Sequence, residues 1–410
     1  MTDSRTPETH HAGLMSSVSE PLAPFAVPNF RRFVFGQSIS LIGSWVDTVA
    51  QALLVLHLSG SGLLLGLVTA ARYLPVLLLT PYAGVIIDRA DKRRLLVFTA
   101  SSLAVLARAL GVLAATGLVS LGWVFAIALG FGILTALDNP ARQAFVAELV
   151  DKSLLTGAIS INSTFVNVGR ALGPAVAAAL ADTVGLAWCF FVDSASFAAV
   201  AVALLSLDGA RLQPTTRISR ARGQLRQGLA FARTTPAVVA PLVMMALIGT
   251  FAYELEVTLP LFADHALGSA GAYPWLIGAF GAGSVAGGVY CALRQRFGTR
   301  LIRSAVVSTL GLAATAFAPT VWSAVPLLFL VGIASIMFII TGNSTIQVNS
   351  PPDQRGRVVA LWSTAFIGTT PIGAPIVGAI GTLDARAGLL IGALACAVAA
   401  LCGSLVLRHG

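Results

Sequence analysis

Long apolar segments, separated by short polar ones, are the feature that most restricts how this chain can fold. Nearly every side chain is apolar between residues 62 and 87 and again between 95 and 116. Segments of about 20 such residues match the roughly 30 Å hydrocarbon core of a bilayer. Of the 410 residues, 56% are hydrophobic and 10% are charged, which is too little charge to cover a soluble surface. The sequence therefore predicts an integral membrane protein.

The apolar segments are continuous runs without strand-like alternation, and this pattern favours helices. A backbone in lipid must pair its own amides, which limits the choice to helices or a closed barrel. The sequence predicts an all-α polytopic membrane protein with twelve transmembrane helices, at about 33–58, 62–87, 95–116, 122–138, 155–181, 188–207, 237–262, 274–293, 301–318, 324–345, 358–381 and 388–407.

The basic residues are distributed unequally between the two sides of this arrangement. With the first loop outside, 22 of the 26 lysines and arginines lie on the side of the termini. Arg386 is the one basic residue in the outer loops, and Arg72, Arg108 and Arg170 lie within helices. Cytoplasmic loops carry the excess of Lys and Arg. We therefore expect a multi-pass protein of the plasma (inner) membrane with both termini in the cytoplasm.

The longest connection, 208–236, is rich in arginine and divides the helices into two sets of six. The segment 139–165 can be aligned with 343–366, so that Asn139 and Gln143 match Asn343 and Gln347. Repeated halves are the usual build of secondary transporters. The predicted domains are a disordered cytoplasmic tail (1–28), an N-terminal six-helix bundle (29–207), a basic cytoplasmic linker (208–236) and a C-terminal six-helix bundle (237–410).

A dense group of charges lies between the second and third predicted helices, in "GVIIDRADKRRLL" (84–96). Positive charge alone would hold a short loop in the cytoplasm, but this does not explain the acidic residues. Gly84 allows close helix contact one turn before Asp88. We expect Asp88 to pair with a neighbouring helix end and so to stabilise one conformation.

The stretch resembles the G-x-x-x-D-R-x-x-[RK]-[RK] loop signature of the major facilitator superfamily. Gly84, Asp88, Arg89, Lys92 and Arg93 fall on its positions, while glycine is common in the family where this chain has an aspartate at position 91. The resemblance implies the major facilitator fold of two pseudo-symmetric six-helix bundles. It also implies that the loop is a charged latch between inward-open and outward-open states.

A second motif lies on the fifth predicted helix, where "GRALGPAVAA" (169–178) resembles the G-x-x-x-G-P-x-x-G-G motif of the antiporter branch. Gly169, Gly173 and Pro174 match, whereas Ala177 and Ala178 replace the final glycines. Ordinary packing of small residues is the alternative interpretation. "LDNPARQAFVAELV" and "YELEVTLPLFA" also resemble the bacterial drug and siderophore exporters, which implies a proton antiporter.

Charged residues within the membrane are costly and usually face a partner or a wet cavity. On the first helix, Asp47 and Gln51 belong to one polar stripe. Asp47 and Arg72 are about equally far from the intervening turn, so they are expected at similar depth. The sequence leaves open whether they form a structural ion pair or take part in transport, and the two roles are compatible.

The remaining candidates lie on the fifth and seventh helices. Asn167 and Arg170 share a polar stripe that ends at the helix-5 motif, and Arg170 is expected to form an ion pair or to bind an anionic group. Glu254 and Glu256 are separated by about 200° on a helix, so both cannot face one cavity. We interpret Glu254 as the cavity residue. Asp193 and Arg108 are interpreted as structural.

Together these features predict a proton-coupled exporter of a hydrophobic or amphipathic small molecule that works by alternating access. The candidate residues for its cavity and proton coupling are Asp47, Gln51, Arg72, Asn167, Arg170 and Glu254. A carboxyl group that is dry in one state and wet in another can load and release a proton. The alternatives are an importer or uniporter on the same fold and a non-transporting receptor or scaffold.

Other classes of protein are disfavoured. The two lysines, Lys92 and Lys152, do not follow a glycine, so the chain has no P-loop for ATP. No Ser/His/Asp set and no metal-ligand spacing points to an enzyme, a metal or a cofactor. The net charge of +9 is spread over short loops, which argues against nucleic acid as a partner. The family resemblance implies a monomer in the lipid bilayer, with protons and a small molecule as its partners.

Overall fold

The apolar segments fold as helices throughout the part of the chain that the computed structural model describes: residues 20–151, 153–213, 230–231, 233–293, 300–351 and 354–408. No strand occurs within these ranges. The α-helices are α1 (Pro28–Ser59), α2 (Gly62–Arg89), α3 (Lys92–Ala115), α4 (Leu121–Leu149), α5 (Leu155–Thr183), α6 (Leu186–Leu205), α7 (Pro236–Phe251), α8 (Leu255–Leu261), α9 (Tyr273–Leu293), α10 (Arg300–Ala316), α11 (Val321–Val348), α12 (Arg355–Ile367), α13 (Thr370–Leu383) and α14 (Ala385–Arg408).

The described residues contain eleven segments that are long and apolar enough to cross a membrane. In this set, α7 and α8 form one crossing, and α12 and α13 form another. Helix α10 has 17 residues and is slightly shorter than the eleven. With α10 as the twelfth crossing, the predicted all-α polytopic fold of two six-helix bundles is confirmed.

Tight turns on one face connect successive helices, and we call this face distal; the opposite face, which carries the described ends of the chain, is called proximal. Gly60, Gly117, Gly185 and Gly268 have positive φ angles and lie in distal turns. Glycine adopts this left-handed backbone without the steric cost of a Cβ atom. Short distal connections therefore hold neighbouring helices antiparallel.

The two bundles touch closely at their distal ends through α2 and α13. A Cβ atom added at Gly66 would collide with the carbonyl of Ala374, and one added at Gly378 would collide with the carbonyl of Gly62. Thr382 Oγ1 accepts a hydrogen bond from the Gly62 amide at 2.9 Å. In lipid the hydrophobic effect does not drive helices together, so they associate by close packing, and small residues allow their backbones to approach. The distal ends of the two bundles are therefore joined.

Three of the predicted helices differ from the observed ones. The fourth was expected to end at residue 138, but α4 continues through Pro140 to Leu149. A proline removes one backbone hydrogen bond and bends a helix without having to end it. The seventh and eleventh were expected to be continuous, but α7 ends at Phe251 before α8, and α12 ends at Ile367 before α13.

The predicted disordered tail is wrong for its last residues. Glu20–Ala26 form a 3-10 helix, and α1 already begins at Pro28. The ring of Phe25 packs edge-on against that of Phe30, with 6.1 Å between centroids. This apolar contact offsets the entropy lost by ordering the segment. Residues 1–19 of the tail and 214–229 of the linker lie outside the described residues.

Candidate functional site

A buried ion pair joins α1 and α2 at the centre of the N-terminal bundle. Asp47 is fully buried, and its Oδ2 accepts a hydrogen bond from Arg72 Nη1 at 2.8 Å. The same nitrogen donates to Gln51 Oε1 at 3.2 Å. The Arg72 guanidinium lies over the ring of Phe131, 4.9 Å from its centroid. Asp47 and Arg72 were expected at similar depth in the membrane, and the structure shows that they form an ion pair.

A cavity of about 240 Å³ lies beside this pair, on the proximal side of the contact between α2 and α13. Its walls come almost entirely from helices of the N-terminal bundle, and Glu256 comes from the other bundle. Both polar and aromatic side chains line it. The lining residues include Ser40, Ser44, Trp45, Thr48, Arg72, Tyr73, Phe131, Thr135, Asp138, Asn139, Arg142, Phe197 and Glu256. A smaller space next to it is lined by Gln51, Arg72 and Glu256.

The glutamate that faces this cavity is not the one we expected. Glu256 lines the cavity, whereas Glu254 is buried outside its wall. The prediction assumed a continuous seventh helix, but the backbone leaves the helix between Phe251 and Leu255. Helical spacing therefore does not govern where the two side chains point. Glu254 Oε1 is buried without a hydrogen-bond partner.

A second buried charge network on α4 was missed by sequence reasoning. Arg142 Nε donates to Asp138 Oδ2 at 2.9 Å, and Arg142 Nη1 donates to Gln37 Oε1 on α1. Thr99 Oγ1 on α3 donates to Asp138 Oδ1 at 2.6 Å. The network thus ties α1, α3 and α4 together at the cavity wall. The i,i+4 spacing of Asp138 and Arg142 was the available signal, but the fourth helix was expected to stop before Pro140.

Arg170 on α5 lies next to the cavity through an aromatic contact. Its guanidinium is 5.5 Å from the ring centroid of Trp45, which lines the cavity. Its Nε atom is buried without a hydrogen-bond partner. The side chain of Asn167 lies outside the described residues, so the predicted polar stripe of Asn167 and Arg170 is not tested.

The helix-5 motif forms the contact between α5 and α1. A Cβ atom on Gly169 would lie 3.0 Å from Leu41 Cβ, and one on Gly173 would collide with Trp45. Pro174 lies inside α5 without ending it. These contacts fit the packing interpretation of the motif, and an antiporter role remains a prediction.

The charged loop between α2 and α3 braces the proximal end of the N-terminal bundle. Lys92 Nζ pairs with Glu148 Oε1 of α4 at 2.5 Å. Arg93 donates to the carbonyl oxygens of Leu204 and Leu205, at 2.8 and 2.7 Å. A cation at the end of α6 is favourable because the last carbonyls of a helix carry partial negative charge.

The other three positions of the loop signature are Gly84, Asp88 and Arg89, and no contact among the described residues at these positions bears on the role of the loop. Gly84 is buried and Arg89 is exposed. The side chain of Asp88 lies outside the described residues, so its pairing with a neighbouring helix is not tested. The role of the loop as a latch between two states remains a prediction.

The described residues form twelve membrane crossings in two bundles, with paired charges beside a cavity that is lined mainly by the N-terminal bundle. This is the architecture of a transporter of the major facilitator class. Among the residues that the structure describes, no three metal-ligating side chains come together. A family model described as "Transmembrane secretion effector" matches residues 19–409. The chain belongs to that family, whose members and relatives are transporters rather than enzymes.

Several characterised proteins are similar in sequence over most of their length. The chain is 28% identical to the multidrug efflux pump Tap of Mycobacterium tuberculosis, with 91% of each chain covered. It is 23% identical to the enterobactin exporter EntS of Shigella boydii, over 87% of this chain and 86% of that protein. A shorter match, 34% identical, covers 39% of this chain and 43% of the staphyloferrin A transporter of Staphylococcus aureus.

Solved structures show the same fold at low sequence identity. A bacterial homologue of the human lysosomal transporter Spinster matches with a TM-score of 0.74 and 13% identity, over 94% of this chain and 97% of that one. The nucleoside transporter NupG matches with a TM-score of 0.72 and 14% identity, over 93% and 99%. These likenesses support the major facilitator fold.

Proposed function

We propose that this protein exports a hydrophobic or amphipathic small molecule across the bacterial inner membrane in exchange for protons, as a monomer with its proximal face in the cytoplasm. The observation that carries the proposal is the cavity that Arg72 and Glu256 line from opposite bundles, beneath the distal contact. Relatives named as efflux pumps and exporters support the outward direction.

The cavity chemistry suits an amphipathic molecule. Trp45, Phe131 and Phe197 offer aromatic faces, while Arg72 and Glu256 offer charges of opposite sign. Its volume of about 240 Å³ is below the roughly 300–1,000 Å³ usual for sites of drug-sized ligands. Binding of a larger substrate would therefore require the bundles to move apart, as alternating access demands.

Proton coupling requires a carboxyl group whose surroundings differ between the two states. Glu254 lies at the break between α7 and α8, is buried, and has an unpartnered Oε1. An ionised carboxylate in such a place is costly, so the closed state favours its protonated form. Opening of the bundle at the break would wet Glu254 and release the proton. Asp47 is held by Arg72 and contributes mainly to the architecture of the cavity.

A substrate screen followed by a coupling test examines the proposal. Cells without their own efflux pumps would express the protein and be loaded with amphipathic dyes, beginning with ethidium. We expect lower accumulation of at least one dye than in cells with an empty vector, and we expect a protonophore to abolish the difference. Equal accumulation of every dye in both cell lines would contradict export.

A substitution at Glu254 tests whether this residue carries the proton. In liposomes with an imposed pH gradient, Glu254→Gln should lose gradient-driven transport of the dye found in the screen while retaining dye exchange without a gradient. The exposed Asp384→Asn is the matched control and should behave as wild type. Full gradient-driven transport by Glu254→Gln would rule out this residue as the proton carrier.

Orientation is tested by labelling single cysteines in intact cells. Substitutions at Gly60 and Ser269 lie in distal turns and should react with an impermeant reagent from outside. Substitution at Asp91 lies in a proximal turn and should react only after the membrane is broken. Reaction at Asp91 from outside would reverse the proposed orientation and with it the direction of export.

A further inference from the structure

Among the described residues of the N-terminal bundle, three aspartates are buried, and two of them pair with an arginine. Asp47 pairs with Arg72, and Asp138 pairs with Arg142. Asp193 on α6 is fully buried, and its Oδ2 has no hydrogen-bond partner. The sequence suggested a structural role for Asp193, but no cation pairs with it among the ion pairs of the described residues.

The carboxyl group of Asp193 is held tightly against α1. Ser196 Oγ lies 3.3 Å from Asp193 Oδ1, and a Cβ atom added at Gly43 would lie 3.0 Å from that same oxygen. Gly43 is one helical turn from Asp47, which places Asp193 beside the Asp47–Arg72 pair. Two acidic groups therefore adjoin a single guanidinium, and Arg72 Nη1 is already bonded to Asp47 and Gln51.

The other arginines that the structure describes near the cavity are engaged elsewhere: Arg142 bonds to Asp138 and Gln37, and Arg170 lies over Trp45. Asp47 on α1 repels a second negative charge, and Arg72 on α2 attracts it through the intervening pair. Arg108 on α3 is exposed on the outside of the bundle, and Cys189 precedes Asp193 by one turn on α6. An ionised carboxylate that is buried without a partner is strongly unfavourable. Two carboxylates that share a site do not both ionise readily.

A short polar route connects this group to the cavity. Ser44 lines the cavity and directly follows Gly43, where an added Cβ atom would lie 3.0 Å from the Asp193 carboxyl group. When the O–H bond of the Asp193 carboxyl group breaks, its proton can pass by way of Ser44 to water in the cavity. The carboxylate that remains then adds a second negative charge beside the Asp47–Arg72 pair.

We propose that Asp193 is a second proton site of the transport cycle, which holds a proton in this distally closed conformation and releases it through Ser44 to the cavity as the distal contact opens. This inference rests on the proposed proton coupling, and it adds to Glu254 a site in the opposite bundle. Its tests below use no transported substrate, so that a failure to export any dye would not be confused with a failure of this inference.

Infrared spectroscopy tests the protonation directly. The purified protein in nanodiscs at neutral pH would be compared with Asp193→Asn, which is nearly isosteric with a protonated aspartate. We expect the difference spectrum to show loss of the carbonyl stretch of a protonated carboxyl group. The control Asp182→Asn removes an exposed carboxylate at the distal end of α5 and should show only carboxylate bands. Carboxylate bands alone for Asp193→Asn would overturn the proposal.

Distances between the distal ends of the two bundles test whether loss of the Asp193 proton accompanies opening of the distal contact. Spin labels on cysteines at Leu63 and Leu383 report the separation of α2 and α13. In the wild type, raising the pH should populate a more separated state, whereas Asp193→Asn should stay closed because its amide mimics the protonated group. Asp182→Asn should follow the wild type. The same pH response in Asp193→Asn as in the wild type, or no response in the wild type, would overturn the proposal.

Discussion

The two bundles share a fold but handle charge within the membrane differently. In the N-terminal bundle, the buried Asp47 and Asp138 are each hydrogen-bonded to an arginine, and Asp193 is the exception among the buried acids that the structure describes. In the C-terminal bundle, the acidic residues within the described spans are Glu254, Glu256 and Asp264. None of them has an ion pair with an arginine among the described residues, and Asp264 lies at the distal end beside His265. Paired charges resist displacement, because separating them leaves a buried charge uncompensated.

The bundles also differ in the continuity of their helices. Helix α5 passes through Pro174 without interruption, whereas two crossings of the C-terminal bundle are broken, between α7 and α8 and between α12 and α13. The two breaks adjoin each other, since a Cβ atom on Gly373 would collide with the Thr250 carbonyl. Discontinuous helices are typical of transporter regions that bind and move. From this comparison we expect the N-terminal bundle to be the more rigid, charged wall and the C-terminal bundle to be the part that rearranges.

The largest effect is expected from breaking the central ion pair. Arg72→Gln leaves Asp47 buried without a counter-charge, and loss of one partner of a buried pair costs about 3–5 kcal/mol. Glu254→Gln removes a carboxyl group that has no ion-pair partner, and it should cost far less. Unfolding in detergent would measure both variants, and Asp47→Asn combined with Arg72→Gln should recover part of the loss. Equal stability of the two single variants would refute the contrast between the bundles.

A somewhat smaller effect is expected at the distal contact. Gly66→Val would push α2 away from the backbone of α13, because the added carbons have no room beside Ala374. Disulfide formation between cysteines at Leu63 and Leu383 should fall strongly. Gly288→Val is the control, because a Cβ atom there meets nothing within 4 Å. Undiminished cross-linking in Gly66→Val would show that the contact does not hold the distal ends together.

The broken helices should be visible as local differences in amide exchange. At the two breaks, the amides of residues 254–255 and 369 donate no backbone hydrogen bond among those of the described residues, so they should exchange faster than those around Asp47. Hydrogen–deuterium exchange with mass spectrometry in nanodiscs would measure the difference. The segment around Pro174 is the internal control, since it contains a proline within a continuous helix. Equal protection of all these segments would remove the argument that the C-terminal bundle is the mobile one.

The smallest effect concerns the charged loop. Arg93→Gln removes two hydrogen bonds to the end of α6 and a favourable interaction with its partial negative charge, worth up to about 1 kcal/mol. Arg94→Gln is the matched control, because Arg94 pairs only weakly with exposed Asp91, at 3.7 Å. Thermal unfolding of the two variants would show whether the loop braces the N-terminal bundle. A larger loss for Arg94→Gln would contradict that role.

The sequence by itself determined the membrane class, the positions of most helices and the depth of the buried charges. These properties depend on local quantities, namely the length of an apolar run and the distance of a residue from a turn. The pairing of Asp47 with Arg72 followed from such distances, and the signature that contains Gly84 and Lys92 pointed to the family. Orientation in the membrane, which rests on the distribution of lysines and arginines, stays a prediction.

Only the tertiary structure decided which side chains face the cavity and which acid lacks a cation. Glu256 lines the cavity because the seventh crossing breaks before it, and whether a helix breaks depends on how neighbouring helices satisfy its backbone. The Arg142 bond to Gln37 and the isolation of Asp193 arise between helices that are far apart in sequence. Such contacts depend on packing in three dimensions, which hydropathy and spacing along one helix do not specify.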